Sequence, residues 1–283
     1  MKQTIQLVGN HPPVAFAGRE LARYLRLATG KTIQLNRVEI GQDRHATFMI
    51  GTCDDLGISR PRHVGELDDW IHIKPYGRGY LLTGSNPRSV LFAVYRYLRE
   101  CGFKWIRPGR RGQIIPTLAS GIKRGLKISE RASYRYRTIC IEGSCSRQHV
   151  IDLVDWMAKH AMNGYFIQFH YGTFFFRRWY HHEGNEYLKP QKFDVTSIVE
   201  SVIKEVTKRG MRLERMGHGW TCMPLGLPSE SWDQYNGPLP VSKKKWLAKV
   251  DGNRKLWRDV PLNTNLCYSN PQVRLAVIDC IAR

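Results

Sequence analysis

The sequence lacks the features that would place it in several large classes of protein. No apolar run reaches the roughly 20 residues that a membrane-spanning helix needs, so no membrane partner is expected. Met1 to Val14 holds one lysine and no apolar stretch, so no secretory signal is visible. The seven cysteines, Cys53, Cys101, Cys140, Cys145, Cys222, Cys267 and Cys280, include no CxxC pair. That favours reduced thiols in a cytoplasmic protein over a disulfide framework or a zinc site, unless an export signal was lost upstream of Met1. No HExxH, P-loop, dinucleotide fingerprint or nucleophile elbow is present. Gly77-x-Gly79 lacks the third glycine of a nucleotide loop. No cofactor and no metal are therefore expected.

Acidic residues are also scarce: 24 Asp and Glu stand against 44 Lys and Arg, a net charge of +20. Such a surplus invites a nucleic-acid reading. The positive residues are spread along the chain, however, with local clusters only at 107–111 and 243–245, and no helix-turn-helix, zinc-finger or RNP signature accompanies them. Solvated faces or attraction to an acidic polysaccharide account for the charge, and no specific nucleic-acid partner is expected.

What is present is an alternation of strands and helices. Residues 4–8, 33–35 and 47–50 read as short strands. Between the first two, Leu21, Tyr24, Leu25 and Ala28 recur at helical spacing, closed by Gly30. Residues 70–73 and 80–83 read as a hairpin around Pro75, Gly77 and Gly79. Pro87 then suits the first turn of a helix whose apolar face is Val90, Leu91, Val94, Tyr97 and Leu98, ended by Gly102. Short strands at 103–106 and 113–115 follow. Residues 1–128 make a domain of ordinary size.

From Tyr134 onward three predicted strands each end in a polar residue: 136–141 at Glu142, 165–169 at His170 and 211–216 at His218. Helices after Ser146 and Asp194 separate them, and Asn270 with Pro271 starts another. Polar groups at the ends of successive parallel strands are how a (β/α)8 barrel builds an active site. Residues 171–193 and 221–264 are connections far longer than usual, leaving the strand ends where loops shape a substrate cleft. A whole barrel needs about 250 residues, so 129–283 is expected to hold only its first part, with a fourth strand due just after Arg283.

At these strands the sequence resembles a known family. Tyr136-Arg137-Thr138-Ile139-Cys140-Ile141-Glu142 looks like the first barrel strand of family 20 β-N-acetylhexosaminidases, which reads aromatic-Arg-Gly, three apolar residues, then an acid. Met162-Asn163 resembles their second unit and Gly217-His218 the Pro-Gly-His that ends their third strand. Residues 80–102 are similar to a strand–helix pair in the N-terminal domain shared with α-glucuronidases. Gly217-His218-Gly219-Trp220 and Thr221-Cys222 look closer still to an uncharacterised bacterial group related to both. The resemblance implies an N-terminal α+β hexosaminidase-like domain followed by a partial (β/α)8 TIM barrel, an α/β protein overall.

The resemblance also implies roles. Arg137 matches an arginine that holds sugar hydroxyls, which its planar fork suits; the alternative is an arginine paired to an acid for stability. Arg137 and Glu142 stand five apart, so strict alternation puts them on opposite faces unless a bulge intervenes or Glu142 lies beyond the strand. Glu142 either accepts sugar hydroxyls or orients Arg137. His170 and His218 either line the cleft or are satisfied by backbone carbonyls. Trp179 and Trp220 offer flat apolar faces to a pyranose ring, or fill the core. Phe174-Phe175-Phe176 reads as a plug more than a ligand surface.

The family's catalytic Asp-Glu pair belongs to the fourth strand, and Glu142 alone is not the pair of carboxylates that glycoside cleavage uses. The catalytic residues are thus unknown, and this length of chain is expected to be inactive. The leading reading is a glycoside-hydrolase-like protein acting on or binding a carbohydrate, neutral or acidic, through Arg137, Glu142, His170, His218 and Trp220. A non-catalytic carbohydrate-binding or assembly module is the alternative, and a basic nucleic-acid-binding protein a distant one. Self-association through the surface around 165–169 and 211–216 is expected, because an unclosed barrel leaves a strand edge uncovered.

Overall fold

Apolar residues in register across four strands organise the N-terminal part. A computed structural model describes residues 3–39, 46–65, 67–119, 125–140, 147–169, 195–229 and 231–282. Strands β1 (Thr4–Leu7), β2 (Gln34–Arg37), β3 (Phe48–Thr52), β4 (Trp70–Tyr76) and β5 (Gly79–Gly84) belong to one sheet. A separate antiparallel ribbon joins β6 (Lys104–Trp105) to β7 (Gln113–Ile114). The sheet is completed by β8 (Ile128–Arg131), giving the order β2-β1-β3-β5-β4-β8. The β1, β2, β3 and β5 pairings are parallel, whereas β4 runs antiparallel to both β5 and β8. Leu7, Ile50, Leu82 and Ile73 lie side by side in this register and are all buried.

Two helices, α1 (Pro12–Thr29) and α2 (Pro87–Glu100), pack against each other and against the sheet. Val14, Ala17, Leu21 and Leu25 form the buried stripe of α1, and Val90, Leu91, Val94 and Leu98 that of α2. Tyr97 of α2 sets the helix on the sheet: its ring meets Phe48 edge-on at 5.3 Å and lies 5.1 Å from Tyr80. A second apolar cluster, Val8, Met49, Leu56 and Leu81, is formed by the alternate residues. Because side chains alternate along a strand, Met49 and Leu81 face away from Phe48 and Leu82. The result is a mixed α/β fold.

The expected helix ends hold. Gly30 is left-handed, with φ 70°, and its N–H donates to Arg26 O at 2.8 Å. Asn86 caps α2 by accepting from Ser89 N at 3.0 Å. One strand of this sheet was not expected. Only the first residue of β8 is apolar and three of its four are exposed, so no alternation marks it; pairing with β4 makes it a strand.

The later part contains β9 (Thr138–Cys140), α3 (Arg147–Lys159), β10 (Gly164–Phe169), α4 (Val195–Lys208) and β11 (Arg212–His218), with strands in the order β11-β10-β9. Arg137, expected inside the first of these strands, immediately precedes it. Tyr165, Ile167 and Met211, expected at an uncovered surface, are buried. Glu142, His170, Trp179 and the Phe174-Phe175-Phe176 run lie outside the described residues. The stretch after β11 is built of short turns, the hairpin β12 (Lys249–Val250) and β13 (Asn253–Arg254), and a last helix α5 (Pro271–Ala282).

Two compact units result. The first comprises 1–139, 144–165 and 196–213, and the second 140–143, 166–195 and 214–283. Among the described residues, no helix is long and apolar enough to cross a membrane.

Candidate functional site

In the first unit Arg137 is tied to protein partners through most of its guanidinium. Nε donates to Ala161 O at 2.7 Å, Nη1 to Tyr134 O at 2.5 Å and Nη2 to Asp69 Oδ2 at 2.5 Å. Asp69 is almost wholly buried, with a side chain 2% exposed. Its Oδ2 also accepts from Asn163 Nδ2 at 2.8 Å. Its Oδ1 takes Arg88 Nε at 2.9 Å, Ser89 Oγ at 2.8 Å and Asn86 Nδ2 at 3.2 Å. A carboxylate offers about four lone-pair positions, so five donors use it fully and none is left for a substrate hydroxyl. Burial by itself would raise the Asp69 carboxyl, but the Arg88 and Arg137 guanidinium groups outweigh it and hold the pKa below the usual range.

Asn163 extends this cluster to three strand starts. Its Oδ1 accepts Arg137 N at 2.9 Å, its N–H donates to Arg137 O at 2.9 Å, and its own carbonyl accepts Arg212 N at 2.9 Å. One buried residue therefore ties together the backbone leading into β9, β10 and β11, with its side-chain amide contributing one of the three bonds and its main chain two. Sequence marked Asn163 only through the resemblance, and nothing local marked Asp69, which lies 68 residues from Arg137. Beside the cluster a pocket of about 190 Å³ has Ile71 and Phe92 on its apolar side and Arg96, Arg99 and Arg131 among its charged groups.

In the second unit β11 delivers His218 as its last residue. Gly219 follows with φ +105°, a conformation costly for any residue with a Cβ, and its carbonyl accepts both Cys222 N at 3.0 Å and Met223 N at 3.1 Å. This tight turn carries Trp220, which is half-buried. The imidazole of His218 meets Trp232 edge-on, with ring centroids 4.9 Å apart and planes at 76°. Trp232 lies in the long irregular stretch, and no local pattern distinguished it from the other aromatics there. Burial pushes the Cys222 thiol up to about 11, so it is not a thiolate nucleophile at neutral pH. What the arrangement offers is a polar ring beside indole surface, a combination suited to binding.

Of the residues singled out from sequence, Arg137 thus belongs to the first unit, and His218 and Trp220 to the second.

No protein-family model and no curated protein matches this chain. Solved structures do. A GH138 enzyme targeting pectin rhamnogalacturonan II aligns with a TM-score of 0.52 and 11% identity, over 84% of this chain and 28% of its own. Streptomyces plicatus N-acetyl-β-hexosaminidase, in complex with Thio-NAglucal, aligns with a TM-score of 0.51 and 14% identity, over 100% of this chain and 53% of its own. A GH115 4-O-methyl-α-glucuronidase with specificity for decorated arabinogalactans follows at 0.46 and 13%, over 77% of this chain and 29% of its own, too distant to argue from. At such identities the likeness is one of fold, and the chain spans 28% and 53% of the lengths of the first two enzymes. The resemblance to hexosaminidases read from short motifs is met at that level: the chain has a glycoside-hydrolase-like fold.

Proposed function

We propose that this chain is part of a glycoside-hydrolase-like protein that holds a carbohydrate at the ends of β9, β10 and β11. In this reading residues 1–128 form the N-terminal α/β domain and 129–283 the first part of a (β/α)8 barrel. His218 and Trp220 contact the sugar, joined by Glu142 and His170 from the neighbouring strand ends. Arg137 supports them indirectly by fixing, with Asp69 and Asn163, where the strands begin. The fold likeness enters as analogy only, since one fold hosts many functions. The observation that carries the reading is His218 at the last position of β11, edge-on to Trp232 at 4.9 Å. An imidazole supplies hydrogen bonds to hydroxyls, and an indole a flat apolar face for a pyranose ring.

Binding is the property to measure, because Glu142 is the one acid among the proposed contacts and cleavage needs two carboxylates. Titration of the 283-residue chain with neutral oligosaccharides, including N-acetylglucosamine oligomers, is expected to give measurable affinity. His218→Ala and Trp220→Ala are each expected to weaken it about tenfold, the equivalent of about 1.4 kcal/mol, with the thermal midpoint little changed. Affinity that survives both substitutions would remove the strand-end site.

A further inference from the structure

We propose that the first unit carries a second binding surface, a basic groove that takes a carboxylate-bearing polysaccharide. The groove has a volume of about 690 Å³, within the range of ligand-binding clefts, and is built wholly from the first unit. Cations reach it from three elements: Arg19 of α1, Arg37 of β2, and Lys204 and Lys208 of α4. Ile203 contributes apolar floor, and Glu200 is the acid among the lining residues.

Of the four cations only Lys208 has an ion-pair partner among the described residues. Lys208 is paired, with Nζ 2.7 Å from Glu205 Oε1. Arg37 donates to Asn10 Oδ1 at 2.7 Å, a neutral partner. Arg19 is exposed, and its guanidinium stands 5.9 Å from the centre of the Phe16 ring. Among the described residues, neither Arg19 nor Lys204 has an acid partner. Asn10 and Pro12, at the start of α1, also line the groove, but the helix cap His11 faces the Asp55 carboxylate at 3.3 Å, so the positive character of the groove comes from its side chains and not from the helix end.

The make-up of the lining decides the ligand. Duplex DNA carries one negative charge per about 1.7 Å, and a surface built for it needs a dense basic stripe. Here four cations come from three elements with a glutamate among them. Among the described residues no aromatic ring lines the groove, so they offer no stacking platform of the kind a single-strand binder uses. Two arginines on different elements, Arg19 of α1 and Arg37 of β2, can each take a carboxylate through a planar fork, which suits a polymer with one acid per sugar ring. The choice of sugar as the backbone of that polymer rests on the function proposed above.

The test is calorimetric titration of the 283-residue chain with polygalacturonate, neutral galactan and a DNA duplex, at about 50 and 200 mM salt, where phosphate binding separates steeply. The double variant R19A/K204A alters only exposed positions, and its melting curve serves as the control for folding. Polygalacturonate is expected to bind the unaltered chain, more weakly at higher salt, and to lose about tenfold in R19A/K204A. The double variant H218A/W220A is expected to keep that binding. No binding of polygalacturonate, or equal binding by R19A/K204A, overturns the proposal. Loss in H218A/W220A but not in R19A/K204A overturns it too, by moving the acidic sugar to the strand ends. DNA bound more tightly than polygalacturonate and lost in R19A/K204A makes the groove a nucleic-acid surface and overturns the assignment. If neutral sugars bind nowhere while polygalacturonate still depends on Arg19 and Lys204, the strand-end reading fails and this one stands.

Discussion

Asp69 is the residue on which the first unit's polar interior turns. Its charge is matched by Arg88 and Arg137, whose side chains are 11% and 16% exposed. Asp69→Asn would leave two poorly hydrated guanidinium groups facing a neutral amide. Breaking a buried ion pair by removing one partner costs about 3–5 kcal/mol, and the loss here belongs at the lower end because the amide oxygen still accepts hydrogen bonds. The carboxyl's folded pKa is depressed, so its contribution is present above its unfolded value of about 3.9 and fades as pH falls further, through the folded value. Chemical denaturation of both chains between pH 7 and pH 3 is therefore expected to show a wide stability gap at neutral pH that narrows in acid. Asp155 and Glu205 are also held low, against the effect of burial, by Lys159, Arg209 and Lys208, so the variant keeps part of the acid transition. A gap that is constant across this range would show that the charge of Asp69 is not what stabilises the fold.

Helix α2 shows how an element is placed by its cap as well as by its apolar face. Asp and Asn are about equal N-caps in general. Here the Asn86 amide does a second task, with Nδ2 donating to Asp69 Oδ1 at 3.2 Å and to Asp68 O at 3.3 Å. Asn86→Ala is expected to cost about 1–2 kcal/mol, the ordinary loss of a cap. Asn86→Asp keeps the cap but sets a second carboxylate against Asp69, and is expected to melt lower than Asn86→Ala. The reverse order in a melting comparison would mean that the cap outweighs the contact with Asp69. The apolar face of α2, Pro87 at its start and the glycine after its end were all legible, because they repeat locally at fixed spacing. The cap's second partner was not, since Asp69 lies 17 residues away. The same divide runs through the candidate site. His218 and Arg137 were marked by strand-end position and motif, whereas Asp69, Asn163's three strand contacts and Trp232 became visible only when distant segments were brought together. Edge strand β8 was hidden for a related reason: its exposed residues carry no alternation, and β4 alone gives it a place.

At the scale of the molecule, the mixed α/β class followed from alternating strand and helix patterns, while the net charge of +20 left open whether the surplus is a liability or a tool. Salt separates two effects. Self-repulsion of a highly charged chain destabilises the compact state, and the screening length falls from about 10 Å at 0.1 M to about 3 Å at 1 M. Screening also weakens surface ion pairs, such as Arg60–Asp54 and Lys255–Asp251, whose carboxylates are 65% and 81% exposed. Such pairs contribute about 0–1 kcal/mol each. The Arg88–Asp69 and Arg209–Asp155 pairs are largely buried and are screened much less. Relief of repulsion therefore outweighs the loss of ion pairs. Raising sodium chloride from about 0.1 to 1 M is expected to lift the melting temperature by a few degrees, at about 2–4 °C per kcal/mol for a chain of this size. R19A/K204A, two charges less positive, should melt no lower than the unaltered chain at low salt and gain less from added salt. A midpoint that falls with salt in both chains would mean that exposed ion pairs, not repulsion among the 44 Lys and Arg, dominate the surface energetics.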